Sequence, residues 1–537
     1  MDKLKHVLHP HRASRQRAVD RFRHWAVAFV VCNFNVDVGP EIELVHPPET
    51  PFSQADLSAI CFNSFPERQQ HDAAPPASSP GPPDPPDLVP FHFTLRNASP
   101  DVALASPCPP YGSPSHLHAA ALFRQQLDRS TKRSFNQKTL VLVSNHPFTA
   151  FFLALLRHLT ATGLLADPTA LEAAASQMAA WPPPSVGRHE LPFLGSLLVL
   201  DIPPHPAFPL QGLTTAPASS ESSSLSGPAS SASAQHAPAP IYAYEPVGHW
   251  AGLLRALPGG PADLHPLYEK LLLCEPVVVL SRSPRLCSDA VSCLLDLIRP
   301  VPYAGEARPY LTMQSDFFSA PASGNGSGSG PPRHYLVGIT NPFLLGRVLS
   351  MAGSTPGHPK PFVLHLDDSC GYPNPYPSLS SSRSSGEPGT GHLSLHSEPN
   401  KGALAAHPAT ATAAADAALD LAVLTRRHFA ELTAQFLAPL NRYFATRAPP
   451  PPPSPSPAFH TAAFLASLAK HGTSVRFRSG AGGAAAAATG ARQRARDAVY
   501  GAFCQGPNFR AWVDMKVGLE KEAAAGLLGD GGGEKGG

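Results

Sequence analysis

Alternating apolar and polar residues near the start of the chain predict strands. The run PEIELVH at 40–46 alternates apolar with acidic residues, as expected of a strand with one face in water. With the apolar run at 25–34 it predicts a β-hairpin, for which Gly39 supplies the turn. Ser53 predicts the N-cap of a first helix, and Pro147 the start of a second, strongly apolar one. Further strands are predicted at 91–96, 120–127 and 138–144. Strands followed by covering helices predict an α+β lobe with an antiparallel sheet.

Farther along, the apolar runs alternate with helical patterns. Strands are predicted at 194–203, 276–281, 308–313 and 335–340. Helices are predicted at 264–274 and 284–298, and another from Asn341 onward. Ser283 and Pro284 mark the start of the second of these helices, as N-cap and first helical residue. Nearly continuous apolar strands between helices predict a doubly wound α/β lobe with a mostly parallel sheet.

The last part of the chain carries a helical pattern. Apolar residues recur at three- and four-residue steps from 421 to 443, and Pro439 predicts a kink there. Shorter patterns predict a helix at 459–472, ending on Gly472, and one or two more within 492–516. The predicted fold is therefore an α+β lobe, an α/β lobe and a helical part, in that order.

Composition separates these parts. The chain has 64 prolines and 41 glycines in 537 residues, and a proline content of roughly 5% is usual. These residues cluster and predict disordered linkers at 71–90, 203–240, 319–332, 370–412, 447–458 and 479–490. The predicted organisation is a basic arm at 1–24, the α+β lobe at 25–180, the α/β lobe at 181–369, the helical part at 413–525 and a Gly-rich tail at 526–537.

Charge gives little indication of a partner. The formal net charge of +2 does not favour nucleic acid. Residues 1–24 hold seven Lys or Arg against two Asp, which partly fits a mitochondrial presequence but favours a solvated basic arm. The most apolar run, Phe148 to Leu156, has nine residues, whereas a membrane-spanning helix needs roughly 20. We therefore expect no transmembrane segment, and the eight cysteines, without a secretory leader, predict reduced thiols in the cytoplasm.

The motifs of covalent chemistry are missing. No Gly-Lys-Ser or Gly-Lys-Thr occurs, so the chain has no phosphate-cradling P-loop. There is no Cys-x-x-Cys, no His-Glu-x-x-His and no Gly-x-Ser-x-Gly. We therefore expect no catalytic residue, no metal and no cofactor, and a protein that works through its surfaces.

Several strings resemble the DENN-domain proteins, and within them the sixth class, which is similar to fungal polarity proteins of the Avl and Afi type. The most specific stretch is LFRQQLDRSTKRSFNQKTLVLVSNHPFTAFF at 122–152, which with FNVDVGPEIELVHP at 34–47 resembles the upstream, longin-like lobe. WPPPSVGRHELPFLG at 181–195, the run at 267–318 and VGITNPF at 337–343 are similar to the central DENN lobe. RRHFAELTAQFLAPLNRYF at 426–444 and GPNFRAW at 506–512 resemble the downstream helical part, where family members usually carry more helix after the last string.

The resemblance implies a guanine-nucleotide exchange factor for a Rab small GTPase in vesicle traffic at recycling endosomes. In this family the Rab docks in the cleft between the longin-like and central lobes. Such a protein is a GTPase regulator in the cytoplasm, recruited to endosomal membranes by peripheral association. Two alternatives remain: a trafficking scaffold that keeps the fold without exchange activity, and an α/β enzyme for a small molecule, which the missing motifs weaken.

Two groups of residues are candidates for contact with the Rab. Open α/β sheets bind ligands at the carboxyl ends of their strands, which favours the turn with Thr340, Asn341 and Phe343. The competing interpretation, which we favour, is that Asn341 only caps the helix that follows. Arg124 and Gln125 on a predicted strand form the second candidate group, and a solvated strand face is the favoured alternative for them.

Overall fold

The computed structural model describes most of the chain outside the Pro- and Gly-rich stretches. The described residues are 15–35, 37–67, 88–97, 116–127, 135–161, 167–207, 239–246, 250–318, 334–354, 360–366, 411–446, 459–475, 477 and 485–530.

The first five strands form one antiparallel sheet, in the order β2-β1-β5-β4-β3. The predicted hairpin is confirmed, since β1 and β2 pair antiparallel and Gly39 takes the φ of +99° that the turn requires. The three further strands are confirmed too, and each begins three or four residues before the predicted start. The strands are β1 (Ala28–Asn35), β2 (Gly39–His46), β3 (Leu88–Arg96), β4 (His116–Leu127) and β5 (Phe135–Ser144).

Helices cover both faces of this sheet. The helices are α1 (15–22), α2 (Gln54–Asn63), α3 (Thr149–Thr160) and α4 (Pro168–Ala180). One face packs against α1, α3 and α4, and the other against α2. Ser53 caps α2 as predicted, and Asp56 completes a capping box with it. The apolar helix α3 begins at Thr149, two residues after the predicted start at Pro147.

The basic arm is not wholly solvated. Val19 and Phe22 on α1 are buried against the sheet, and the Phe22 ring lies 5.8 Å from the Phe29 ring. The expectation of a solvated arm is therefore wrong for 15–22, because apolar residues three apart give this helix a buried side. Residues 1–14 lie outside the described ranges.

A small sheet packs against the same core as α3 and α4. It has the order β6-β7-β8 and consists of β6 (Gly187–Phe193), β7 (Ser196–Ile202) and β8 (Ile241–Tyr242). Phe193 and Leu200 share the core with Trp181, whose indole donates to the Pro192 carbonyl at 2.8 Å. The segment 181–195, predicted to begin the central lobe, therefore packs in the core of the first sheet.

The central sheet is parallel, in the order β10-β11-β9-β12. Helices α5 to α7 cover one face and α8 the other, which confirms the doubly wound α/β lobe. Ser283 caps α7 as predicted by accepting the N–H of Leu286 at 3.3 Å. The elements are α5 (Trp250–Ala256), α6 (Leu264–Leu272), β9 (Val277–Leu280), α7 (Pro284–Asp296), β10 (Glu306–Leu311), β11 (Tyr335–Ile339), α8 (Pro342–Ser354) and β12 (Phe362–His365).

The last part of the chain is helical and shares a core with α5 to α7. The Tyr268 hydroxyl lies 3.0 Å from the Thr433 hydroxyl, and the Asn508 amide donates to the Leu271 carbonyl at 2.8 Å. Pro439 stands inside the first of these helices, which continues past it. The helices are α9 (Ala411–Ala445), α10 (Thr461–His471), α11 (Ala485–Gln505) and α12 (Pro507–Asp530).

Most of the predicted linkers lie outside the described residues, and the domain limits remain predictions. Four elements overlap a predicted linker or tail, since β3 begins at Leu88, α9 at Ala411, α11 at Ala485, and α12 extends to Asp530. Six of the eight cysteines are described, and these are free and buried. Cys108 and Cys370 lie outside the described ranges.

Candidate partner-binding surface at the junction of the two sheets

The antiparallel and the parallel sheet meet along their edge strands. β3 is an edge strand of the first sheet, and β10 is an edge strand of the second. Side chains make the contacts between them. The Thr94 hydroxyl donates to the Ala307 carbonyl at 3.1 Å, and the Phe91 and Tyr310 ring centroids lie 5.5 Å apart.

A fully buried arginine joins the two edges. The Arg308 guanidinium donates to the Thr94 carbonyl at 2.6 Å, to Glu306 at 2.8 Å and to Asp316 at 3.0 Å. The backbone N–H of Arg96 donates to the Asp316 carboxylate at 2.7 Å. We call Arg96, Glu306, Arg308 and Asp316 the Arg308 cluster. A buried charge is tolerated only when it is paired and hydrogen-bonded, so this cluster fixes how the two edges meet.

The charge of the cluster is balanced by an ionised Glu306. Burial opposes ionisation, but the nearby His116 ring, whose Nε2 lies 3.6 Å from the carboxylate, and the charge of Arg308 outweigh it and lower the pKa of Glu306 to about 2. The carboxylate therefore stays charged at neutral pH and compensates Arg308.

A second contact lies at the carboxyl end of the parallel strands. The segment after α2 brings Glu67 to the ends of β10 and β11. The Glu67 carboxylate accepts the backbone N–H of Met313 at 2.7 Å and the side-chain amide of Asn341 at 3.0 Å. We call Glu67, Tyr310, Met313, Thr340 and Asn341 the Glu67 junction.

The backbone of Glu67 is held independently of its carboxylate. Its N–H donates to the Tyr310 hydroxyl at 2.9 Å, and its carbonyl accepts the Thr340 hydroxyl at 3.2 Å. Since Thr340 gives its single hydroxyl proton to Glu67, Tyr310 is the donor in the 3.4 Å contact between the two hydroxyls. Burial raises the pKa of Tyr310 well above its usual value, so the phenol keeps this proton.

The first candidate group lies at this junction. Thr340 is buried and serves the contact with Glu67. The Asn341 side-chain oxygen accepts the N–H of Phe343 at 3.0 Å, the capping contact of the competing interpretation, while its amide binds Glu67. Phe343 is 82% exposed. Contact of these residues with a partner stays a prediction.

The second candidate group is divided between the two faces of the first sheet. Neighbouring strand residues point to opposite faces, so Gln125 shares its face with Phe123 and Arg124 does not. The Phe123 ring lies 6.3 Å from the ring of Phe65, two residues before Glu67. Gln125, which accepts the side-chain amide of Gln137 at 2.9 Å, thus lies on the side of the Glu67 junction, and Arg124 on the side of α3 and α4.

An exposed apolar area borders the junction. Met313 is 43% exposed beside the 82% exposed Phe343. Arg347 follows Phe343 by one helical turn, donates to the Met313 carbonyl at 3.4 Å and lies 4.1 Å from the centre of the Phe318 ring. We call Met313, Phe343 and Arg347 the Phe343 surface. Aromatic residues, methionine and arginine are enriched in protein interfaces relative to the rest of the surface.

The sequence gives no local indication of Glu67, Met313 or Arg308. Glu67 stands in a polar stretch before a predicted linker, and each of its partners is more than 240 residues away. The role of such a residue depends on long-range packing and not on the pattern around it.

Within the described ranges, no group of three or more His, Cys, Asp or Glu side chains is arranged to hold a metal ion. Nor does any helix of those ranges combine the length and apolarity needed to cross a membrane.

Known proteins with similar sequences carry DENND6 in their names. No family model matches the chain. Protein DENND6A of Gallus gallus is 26% identical over 453 residues, which cover 80% of this chain and 69% of that protein. Protein DENND6B of Homo sapiens is 28% identical over 468 residues, 82% of this chain and 71% of that protein. Protein DENND6 homolog of Dictyostelium discoideum is 25% identical over 488 residues, 80% of this chain and 62% of that protein.

These relatives are 25–28% identical to the chain over at least 80% of its length. Their names, together with the antiparallel lobe, the doubly wound α/β lobe and the helical part, support the predicted resemblance to the sixth class of DENN-domain proteins.

Proposed function

We propose that this chain is a guanine-nucleotide exchange factor for a Rab-family GTPase of endosomal recycling traffic. The Rab docks on the Phe343 surface, in the cleft where the antiparallel and the parallel sheet meet. The protein works in the cytoplasm and is recruited to endosomal membranes as a peripheral protein. DENN-domain proteins generally act as Rab exchange factors, which supports the proposal.

The observation that carries the proposal is the position of Phe343. This aromatic side chain is 82% exposed and stands at the carboxyl edge of the parallel sheet, where open α/β sheets bind their ligands. Glu67 brings the first lobe to the same edge through Met313 and Asn341. A partner docked there contacts both lobes.

Exchange requires no catalytic side chain. A factor that binds the nucleotide-free GTPase more tightly than the GDP-bound form weakens GDP binding by the same factor. A thousandfold acceleration of GDP release corresponds to about 4 kcal/mol of barrier, at about 1.4 kcal/mol per factor of ten. An interface of roughly 1,600 Å² is the standard size for a specific complex and can supply that difference.

The test is the release of a fluorescent GDP analogue from a panel of endosomal Rabs, with the purified chain at micromolar concentration. We expect acceleration on one or two members of the panel. A flat panel with folded protein contradicts exchange and favours the scaffold, which predicts Rab binding that does not depend on the nucleotide.

A variant of the exposed aromatic locates the surface. Phe343→Ala removes an anchor that, in an interface, contributes about 2 kcal/mol, and we expect exchange on the responsive Rab to fall about thirtyfold. Because Phe343 is mostly in water, the fold is unaffected. Leu424→Ala is the matched control, since Leu424 is also exposed, at 45%, but lies on α9. If Phe343→Ala and Leu424→Ala have the same exchange activity, the Rab does not dock on the Phe343 surface.

A further inference from the structure

The Glu67 carboxylate lies at a surface that is otherwise open to a partner. Two donors of the central lobe converge on it, the Met313 N–H and the Asn341 amide, at 2.7 and 3.0 Å. Met313 and Phe343, which border these donors, expose 43% and 82% of their area. The carboxylate therefore occupies a position that a docked protein would also reach.

The carboxylate can leave without moving the chain. Tyr310 and Thr340 hold the N–H and the carbonyl of Glu67, so the backbone bonds persist when the side chain rotates. Rotation into water leaves the two donors at a partly exposed surface, where another acceptor can reach them. A partner carboxylate restores both bonds.

The neighbours of the donors favour an acidic occupant with apolar flanks. Arg347 contacts the Met313 carbonyl and adds a positive charge beside the two donors. Phe343 and Met313 offer apolar area on the same side. Hydrogen bonds with an ionised acceptor are about twice as strong as neutral ones, so an Asp or Glu next to an apolar residue matches this surface better than a neutral segment.

We propose that Glu67 is an internal substitute for a carboxylate of the GTPase, and that a partner segment with an acidic residue beside an apolar one displaces it when the Rab docks. This inference rests on the proposed function and names the chemistry that the site recognises. In the free protein Glu67 competes with the partner, and the competition lowers exchange.

The test uses the full chain and the Rab that responds in the release panel. Glu67→Ala removes the competitor while the backbone contacts remain, and we expect affinity for the nucleotide-free Rab to rise about fivefold, as for one net hydrogen bond. Asn341→Asp keeps an oxygen to cap α8 but removes the amide donor and repels a carboxylate. We expect it to lower the affinity at least tenfold, the loss typical of a charged hydrogen bond.

The double variant separates competition from a structural role. In the Asn341→Asp background the gain from Glu67→Ala is expected to disappear, since both changes act on the same pair of bonds. Glu190→Ala, which removes an exposed carboxylate on β6, is the control and leaves the affinity unchanged.

The outcomes distinguish this inference from the proposed function. If the wild-type chain accelerates release and Glu67→Ala binds the Rab equally or more weakly, Glu67 is only a structural tie and the inference is wrong while the function stands. The inference is also wrong if Glu67→Ala raises the affinity for the nucleotide-free Rab by the same factor in the Asn341→Asp background as in wild type. If neither the wild-type chain nor Glu67→Ala, both folded, accelerates release on any Rab, the function fails and the inference with it.

Discussion

Arg308 keeps a full positive charge without access to water. Its side chain is 0% exposed, and Glu306 and Asp316 surround it together with the Thr94 carbonyl. Removal of one partner of a buried ion pair leaves the others uncompensated, which typically costs about 3–5 kcal/mol. At the scale of the residue, the junction of the two lobes therefore depends on this guanidinium.

Substitution of this residue provides the first prediction. Arg308→Met keeps most of the volume and removes the cation that Glu306 and Asp316 share. It is expected to lower the free energy of unfolding by about 3–5 kcal/mol. Urea unfolding followed by circular dichroism measures the change. Arg188→Met, at an exposed site on β6, is the control and stays within about 0.5 kcal/mol of wild type. Equal stability of the two variants contradicts the role of the cluster.

A buried histidine at the same junction predicts sensitivity to acid. His92 on β3 lies 2.9 Å from the Ser292 hydroxyl of α7, and burial lowers its pKa to about 3. In the unfolded chain the pKa is about 6.5, so below that pH the unfolded state binds the proton more readily and stability is lost as the pH falls toward 3. At pH 5 the loss from His92 amounts to about 2 kcal/mol.

The matching experiment compares wild type with His92→Gln. The glutamine does not titrate, so the variant is expected to lose about 2 kcal/mol less free energy of unfolding between pH 7 and pH 5. Urea unfolding at the two pH values gives both differences. Identical losses show that His92 does not contribute to the acid sensitivity.

At the scale of the element, close approach decides where a side chain is tolerated. A Cβ at Gly338 on β11 would lie 2.1 Å from the Pro309 carbonyl oxygen and 2.8 Å from the Cys287 sulfur. The backbone of β10 and helix α7 therefore require glycine here. At Gly346 on α8 a Cβ would have no other atom within 4 Å.

Two alanine substitutions test this difference. Gly338→Ala forces strand β10 to shift and is expected to destabilise the protein by about 1–3 kcal/mol, as overpacking does. Gly346→Ala is expected to stabilise it by up to about 1 kcal/mol, since alanine favours the helix over glycine. Thermal or urea unfolding of both variants measures the signs. Two changes of the same sign contradict the packing around β11.

The elements that the pattern predicts are those with strong local signals. Strand β2 alternates apolar with acidic residues, β1 is a continuous apolar run, and Ser283 with Pro284 marks the start of α7. Helix α4 was not predicted because its buried face is mainly alanine. Strand β6 was not predicted because Pro192 and polar residues interrupt its apolar positions. Strand β12 has only four residues and is defined by its pairing with β9. Short or weakly apolar elements form through tertiary contacts, which a local pattern does not record.

The candidate site was predictable only in part. Phe343 and Asn341 follow from the rule for strand ends in an α/β sheet, and the structure places them at the junction. Glu67 and Arg308 act across more than 200 residues of sequence, and no periodicity indicates such contacts. For Arg124 a local rule does give an answer. Neighbouring residues of a strand point to opposite faces, so Arg124 lies on the face of the sheet away from Gln125 and the Glu67 junction.

At the scale of the whole molecule, the two sheets present one surface to a partner. The Arg308 cluster fixes the edge strands, and Glu67 ties the first lobe to the carboxyl edge of the second. The Phe343 surface lies beside these contacts, so a GTPase that docks there, as proposed, would touch a preformed arrangement. Preformed surfaces lose less conformational entropy on binding, which leaves more of the interaction energy for discrimination between nucleotide states.

The most direct measurement of the central claim compares the affinity of the chain for one Rab without nucleotide and with GDP. Linkage requires that a factor which weakens GDP binding bind the nucleotide-free form more tightly by the same ratio, and a thousandfold ratio corresponds to about 4 kcal/mol. We predict that titration calorimetry gives such a preference for wild type, with binding of the nucleotide-free Rab reduced about thirtyfold in Phe343→Ala. Equal affinity for the two forms, in a folded and binding-competent protein, would contradict the account.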